Sequence, residues 1–499
     1  MARHGGGISR LSRRLILVAA IVPGGCTVGP DFHSPAPPAV DHYVSGGSPS
    51  PTAAAPGADG ASQHFVAGAA IDAKWWTLFG SPTLDALEED AIRHNADIGA
   101  ARAALRQAHE MHLAQRASLF PTIQAGASAY REKNSYTIAS PLSSNAQTYT
   151  LYAAQFEASY VLDLFGGVRR QIEASTAQED AQRFQVEATY LALTSNVAST
   201  VLQIAALRSQ LEAANAAVAT DRRIADVTRR MYAAGESNSG DVASAENAQE
   251  QAEQAIAPLQ KQIDQSNDQL AVFLGRTPAE IQALRIDLAD VRLPADLPLS
   301  LPSELVRQRP DIRAAEANLH IASAQVGVAI AARLPSISLV GTLGGNSTTL
   351  GSMFSAGNDL WTIGGSVSQT VFDAGALRHQ QKATEAALAQ AKEQYRGTVL
   401  TAFQNTADVL MAIESDAGNL RHAVLASAAL ARSADIARNQ VKLGEAGSLA
   451  ALNAEVAEEQ GRQALIQARA ARYADTVALF QALGGGWWNN PHATEETHE

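Results

Sequence analysis

The 499 residues carry 38 Lys and Arg against 50 Asp and Glu, a single cysteine, 46% hydrophobic residues and only 5% aromatics. This balance, with no compensating basic patch, argues against a nucleic-acid partner. One thiol excludes an internal disulfide, and the apolar content excludes disorder over most of the chain. Abundant Ala, Gln and Glu predict long helices instead.

Residues 1–25 read as a secretory signal peptide: Arg3, Arg10, Arg13 and Arg14 precede a short apolar run, Leu15 to Val22, and small Gly24 and Gly25 lead into Cys26. About 8 apolar residues fall far short of the roughly 20 that a membrane-spanning helix needs. A cysteine directly after small residues resembles a bacterial lipobox, with Pro23 standing where that pattern carries Leu. The resemblance implies acylation of Cys26, and Thr27 after it implies sorting to the outer membrane. Removing four arginines leaves 38 − 4 = 34 basic against 50 acidic residues, a net of −16. Residues 26–70 are rich in Pro, Gly, Ser and Ala and predict an extended, mostly irregular segment. Order is expected near "KWWTLFGSPTLDALEEDAIRHNADI", where Ser81-Pro82 is a helix start and Leu84, Leu87, Ala91 and Ile92 recur at helical spacing.

From there the chain repeats itself. At an offset of 214, Asp97-Ile98 meets Asp311-Ile312, Leu105 meets Leu319, and Phe120-Pro121 meets Leu334-Pro335. At 209, Gly166 meets Gly375, Arg169 meets Arg378, and "GESNSGDVASAENAQEQ" meets "GEAGSLAALNAEVAEEQ". The units are set at 71–290 and 291–486, with an acidic tail at 487–499. In each, a helix of about 35 residues is expected to stop at a proline, Pro121 or Pro335. Two strands follow. "SISLVGTLGG" alternates Ile337, Leu339 and Leu343 against Ser336, Ser338 and Thr342, and "WTIGGSVSQTVF" returns. The first copy offers "TIQAGASAY" and "YTLYAAQFEASYVLDL". A very long helix then starts at Gly166 or Gly375. Val186, Tyr190, Leu193, Val197, Val201, Ile204, Leu207, Leu211 and Val218 form a coiled-coil-like seam, predicting a helix of roughly 100 Å. A glycine turn, "AAGES" or "KLGEAG", sends a second helix back.

Four strands cannot lie in a bilayer as an open sheet, because unpaired edge groups would meet hydrocarbon, and the smallest membrane barrels need about eight. Either the sheet is soluble, or several chains pool their strands under cyclic symmetry. The leader and the laterally packing helices favour pooling.

At this point "CTVGPDFHSPAPP", "KWWTLFGSPTLDAL", "YVLDLFGGVRR", "RQRPDIRAAEANLHIASAQVGVA", "LPSISLVGTLG", "TVFDAGALRHQ" and "ALGGGW" resemble, in order, the TolC-like outer-membrane efflux proteins, and more closely their NodT-type lipoprotein branch. The resemblance implies an α+β membrane protein: a trimer whose chains contribute four strands each to a 12-stranded barrel, continued by an α-helical periplasmic tunnel. It implies a periplasmic adaptor and an inner-membrane transporter, of RND type, as partners. The role implied is a passive conduit exporting drugs or small toxic molecules, not an enzyme, with no cofactor. A protein-secretion exit duct in the same fold, and a structural coiled-coil lipoprotein without a channel, are the alternatives.

The family's tips meet the adaptor, which places that role on Gly235, Glu236, Ser239, Asp241 and Val242 and on Gly444, Glu445, Ser448 and Leu449. The resemblance also places an aspartate about nine residues after the second tip glycine, in a constricting ring; Asn453 stands there. Glu455 and Glu246, with Glu445 and Asp241, are candidate lumen carboxylates instead. "HEMH", at His109 to His112, lacks the four-residue histidine spacing of a zinc-protease helix. "LFGGVRR" lacks the glycine spacing and lysine of a phosphate loop.

Overall fold

Proline, glycine and side-chain caps decide where this chain leaves regular structure. In the computed structural model, which describes residues 27–44, 47, 49–140, 142 and 144–489, the lead segment carries one strand, β1 (His64–Ala67). Cys26, the leader and the tail from residue 490 lie outside the described residues. The first copy then runs α1 (Pro82–His94), α2 (Ala96–Ala117), β2 (Thr122–Lys133), β3 (Thr148–Leu162), α3 (Gly167–Ala233), α4 (Ser239–Gln254) and α5 (Ile256–Phe273). The second runs β4 (Asp296–Leu299), α6 (Pro302–Gln308), α7 (Pro310–Ala331), β5 (Ser336–Ser347), β6 (Asp359–Ser368), α8 (Ala376–Leu443) and α9 (Ser448–Ala482).

The initial helix expected in each copy is two helices. In the first, Asn95 takes extended backbone (ψ 131°), and its Oδ1 accepts from the amides of Asp97 and Ile98 at 2.9 and 3.2 Å. It ends α1 and caps α2 with one side chain. At the matching position Arg309 precedes Pro310, which excludes helical backbone before it. The returning helix of the first copy is also interrupted. Pro258 offers no amide and crowds the carbonyl four residues back, so the break falls at Ala255 between α4 and α5. The second copy has no proline there, and α9 runs 35 residues unbroken.

The chain divides into two units. The first holds the described residues up to Ser34 with Gln107–Asp180 and Ala317–Glu393, and contains the four-stranded antiparallel sheet ordered β2-β3-β5-β6. The hairpins expected from alternation are both present. Their central pairing, β3 with β5, joins the two copies: Phe156 sits opposite Leu343 and Ala158 opposite Gly341.

The second unit, Pro35–Arg106, Ala181–Glu316 and Gln394–Glu499, is helical. Its core gathers Trp75, Trp76, Phe79 and Leu84 with the α3 seam (Leu193, Val197, Val201, Ile204) and with Tyr473, Val477 and Phe480 of α9. Trp75 stacks on Phe480 with ring centroids 5.1 Å apart. The most apolar window of α3 is mostly buried within the chain, as a core helix would be. The lead segment is irregular over most of its length, as composition predicts, yet firmly seated. β1 pairs in parallel with β4, Phe65 opposite Leu297. Arg472, only 1% exposed, donates to Thr52 Oγ1, Gln63 Oε1 and the Asp59 and Ala61 carbonyls. The buried guanidinium takes two carbonyls of this Ala- and Gly-rich run, which also closes on itself where the Thr52 amide donates to the Gln63 carbonyl at 3.0 Å.

Candidate functional site

The sheet has two chemically different faces. Residues directly opposite in an antiparallel pair share a face, so the register sorts them. One cross-strand row is Phe156, Leu343 and Trp361, and the next is Ile123, Ala158, Gly341 and Ile363. A third is Leu162, Ile337 and Val367. In the single chain Phe156, Trp361, Ile363 and Val367 are well exposed. The other face carries the row Gln124, Glu157, Thr342 and Thr362. Near it, the Ser338 and Ser366 hydroxyls lie 2.8 Å apart. Leu151, Val161, Val340 and Leu360 are apolar side chains on that face. Among the described residues β2 and β6 each pair on one side only. An apolar face, a polar face and two open edges describe a segment of barrel wall, for which pooling of strands is the physical completion.

The helical tips belong to the second unit. Gly235 (φ +82°) and Gly444 (φ +76°) both take left-handed backbone. The amides after them turn back: Glu236 N–H donates to the Met231 carbonyl at 2.8 Å, and Glu445 N–H to that of Gln440 at 2.9 Å. The long helices therefore end in the same glycine motif. The returning helices start differently. Asn238 Oδ1 accepts from the Asp241 amide at 3.0 Å, while Asp241 Oδ2 accepts from the Asn238 amide at 3.2 Å and the Ser237 hydroxyl at 2.9 Å. These hydrogen bonds hold the Asp241 carboxyl below its ordinary pKa. Gly447 caps α9 with no side chain.

Of the tip residues, Gly235, Glu236, Ser239, Asp241, Gly444, Glu445 and Ser448 are exposed, and Val242 is half-buried. Leu449 turns inward against a small core of Ile224, Ala225, Ala245 and Leu452 that joins α3, α4 and α9. The candidate lumen carboxylates Glu246 and Glu455 meet arginines. Glu246 accepts from Arg229 Nε at 2.9 Å. Glu455, whose side chain is 14% exposed, accepts from Arg223 of α3 at 2.9 Å and Arg438 of α8 at 3.5 Å. Asn453 is exposed. Arg223, Arg438, Arg230 and Lys442 line a cleft of about 430 Å³ beside Glu455. Arg223 and Arg438 carry no local sequence signal, since what matters about them is a partner in another helix. The Asn238-x-x-Asp241 capping box, by contrast, was readable as a helix start.

The outer membrane efflux protein family matches twice along the chain, over residues 87–276 and 301–485. The chain is 30% identical to the probable efflux pump outer membrane protein TtgC of Pseudomonas putida, over 97% of this chain and 98% of that one. It is also 30% identical to the pyoverdine export outer membrane protein OpmQ of P. putida, over 91% and 94%. The solved outer-membrane channel OprN superposes with a TM-score of 0.80 at 28% identity, covering 93% of this chain and all of that one. The two-faced sheet, the paired long helices and these likenesses agree: the chain belongs to the outer membrane efflux protein family and is a TolC-like outer-membrane efflux channel.

Proposed function

We propose that three copies close the wall, the β6 edge of each chain pairing with the β2 edge of the next, so that three times four strands make twelve. Family members form trimers as outer-membrane components of tripartite pumps. The observation that carries the reading is the two-faced sheet with open edges. The Phe156–Leu343–Trp361 row faces lipid, and the Gln124–Glu157–Thr342–Thr362 row lines water. The channel is a passive duct for small toxic molecules. A periplasmic adaptor, with an RND-type transporter beneath it, engages the exposed tip residues Gly235, Glu236, Ser239, Asp241, Gly444, Glu445 and Ser448. Cys26 carries a lipid as a second tether. The Arg223–Glu455–Arg438 clasp holds α9 against α3 and α8 and sets the resting aperture. Heat-modifiable trimers and single-channel conductance in planar bilayers test the duct; a monomer that conducts nothing would overturn it.

A further inference from the structure

Three of the sequence motifs meet at one point of the first unit. Arg170, in the first turn of α3, has a side chain only 5% exposed, and most of its donors go to the lead segment. Nε donates to the Val28 carbonyl at 3.1 Å, and Nη2 to the Gly29 carbonyl at 3.4 Å and to Asp31 Oδ1 at 2.7 Å. Nη1 donates to Glu173 at 2.7 Å, and the other Glu173 oxygen lies 2.8 Å from His320 Nε2. The His320 ring in turn stacks on Phe32, with centroids 4.2 Å apart and planes at 13°. Val28 N–H donates to the Phe165 carbonyl at 3.1 Å, just past the end of β3.

The steric fit is as close as the polar one. Gly29 (φ +98°) lies against the backbone of Gly327 on α7, and a Cβ there would collide with it. A Cβ on Gly327 would come within 2.8 Å of the Arg170 side chain. A guanidinium buried at this cost, with its fork filled mainly by one short peptide, is a recognition site for that peptide.

We propose that Arg170, Glu173, His320 and Gly327 form a socket for residues Thr27–Phe32 of this chain, and that filling it is required for productive membrane insertion. The proposal rests on the reading that Cys26 is acylated, because the socket then fixes where the lipid leaves the fold. With the socket filled, the lipid-bearing residue is bonded directly to Thr27, which packs on Gly166 beside the start of α3. With it empty, the start of the chain hangs from contacts beyond Phe32, such as the Tyr43 hydroxyl, which donates to the Ser300 carbonyl at 2.8 Å. A released run of even about eight residues wanders over roughly 15 Å. The socket converts a loose tether into a fixed point beside the barrel wall.

The test uses the full chain in membranes, with R170A and R170K altering the socket and G29A altering the peptide. Three quantities are read: exchange of the Val28 amide, the fraction recovered as heat-modifiable trimer, and palmitate incorporated at Cys26. R170A and G29A should each speed Val28 exchange about 100-fold and lower the trimer fraction several-fold, with palmitate unchanged. R170K should fall between them and wild type. Unchanged Val28 protection in R170A, or a released segment with full trimer recovery, overturns the proposal. A C26S chain with a cleavable leader should keep Val28 protected. Wild-type chains without palmitate would overturn the acylation reading while leaving the socket measurable.

Discussion

Arg223 of α3 and Glu455 of α9 stand 232 residues apart in sequence and 2.9 Å apart in space. The pair ties the first copy's long helix to the second copy's returning helix, and Arg438 binds the same carboxylate from α8. What else holds this region is small: the tip core is Ile224, Ala225, Ala245 and Leu452, with Val227, Leu449 and Val456 packed against it. An ion pair on so small a core is a sizeable share of local stability. Partial exposure of the arginines keeps its worth near 1 kcal/mol. E455Q should therefore raise channel open probability about fivefold, and R223A, which leaves Arg438 on Glu455, should raise it less, with the double variant gaining nothing over E455Q. Bilayer recordings in which E455Q gates as wild type would separate the clasp from gating.

The exposed tip carboxylates Glu236 and Glu445 make a separable case. Neither belongs to the tip core, and each follows a glycine whose left-handed backbone fixes the turn. Reversing both charges, E236K with E445K, should leave trimer recovery and conductance unchanged and weaken binding of the adaptor at least tenfold. The check is affinity measured with purified adaptor at low and moderate salt, since rim charges act mostly through screened electrostatics. Undiminished binding would move adaptor contact away from these carboxylates.

Much of this architecture was legible because it is periodic. Ile337, Leu339 and Leu343 alternate with polar neighbours, and the structure puts them on one face of β5. The α3 seam recurs at helical spacing, and Leu193, Val197, Val201 and Ile204 are all buried. Duplication made each reading twice checkable. What was lost is non-periodic. A single side chain, Asn95, ends one helix and starts another, and Pro258 interrupts α4–α5 at one place only. β1 and β4 are four residues each and find one another across 232 positions, His64 opposite Asp296, too short and too distant for pattern to reveal. The site behaved likewise. The tip glycines announce themselves, whereas the inward turn of Leu449 and the partners of Glu455 exist only once three helices have packed.

Arg472 offers a stability test in the second unit. Its guanidinium satisfies Thr52, Gln63 and two carbonyls of the lead segment, and Asp59 also accepts from the Tyr473 hydroxyl at 2.8 Å. R472M keeps most of the volume but strips the donor from Gln63 Oε1 and the Asp59 and Ala61 carbonyls, while Thr52 Oγ1 keeps the Gln63 amide. The expected loss is about 3 kcal/mol. Proteolysis should then cut within residues 52–63 of the variant while wild type resists. Equal resistance would mean that β1 pairing alone holds the segment.

The last prediction concerns pH. Burial, reinforced by the neighbouring Asp416 carboxyl, pushes Asp475 of α9 up to about 7 from an ordinary value near 3.8. Between those values the folded chain holds a proton that the unfolded chain has released. The stabilisation is complete below about pH 4 and is lost as pH rises through 7. A shift of about three units is worth about 4 kcal/mol at full burial. The pair is half-buried, so solvent screening reduces this to about 1–2 kcal/mol. D475N keeps the size and polarity of the side chain without an ionisation of its own. Wild type should therefore lose about 1 kcal/mol more than D475N between pH 5 and pH 8, about two thirds of the whole effect, read from thermal unfolding of the detergent-solubilised protein at both values. Parallel pH profiles for the two chains would place the proton elsewhere.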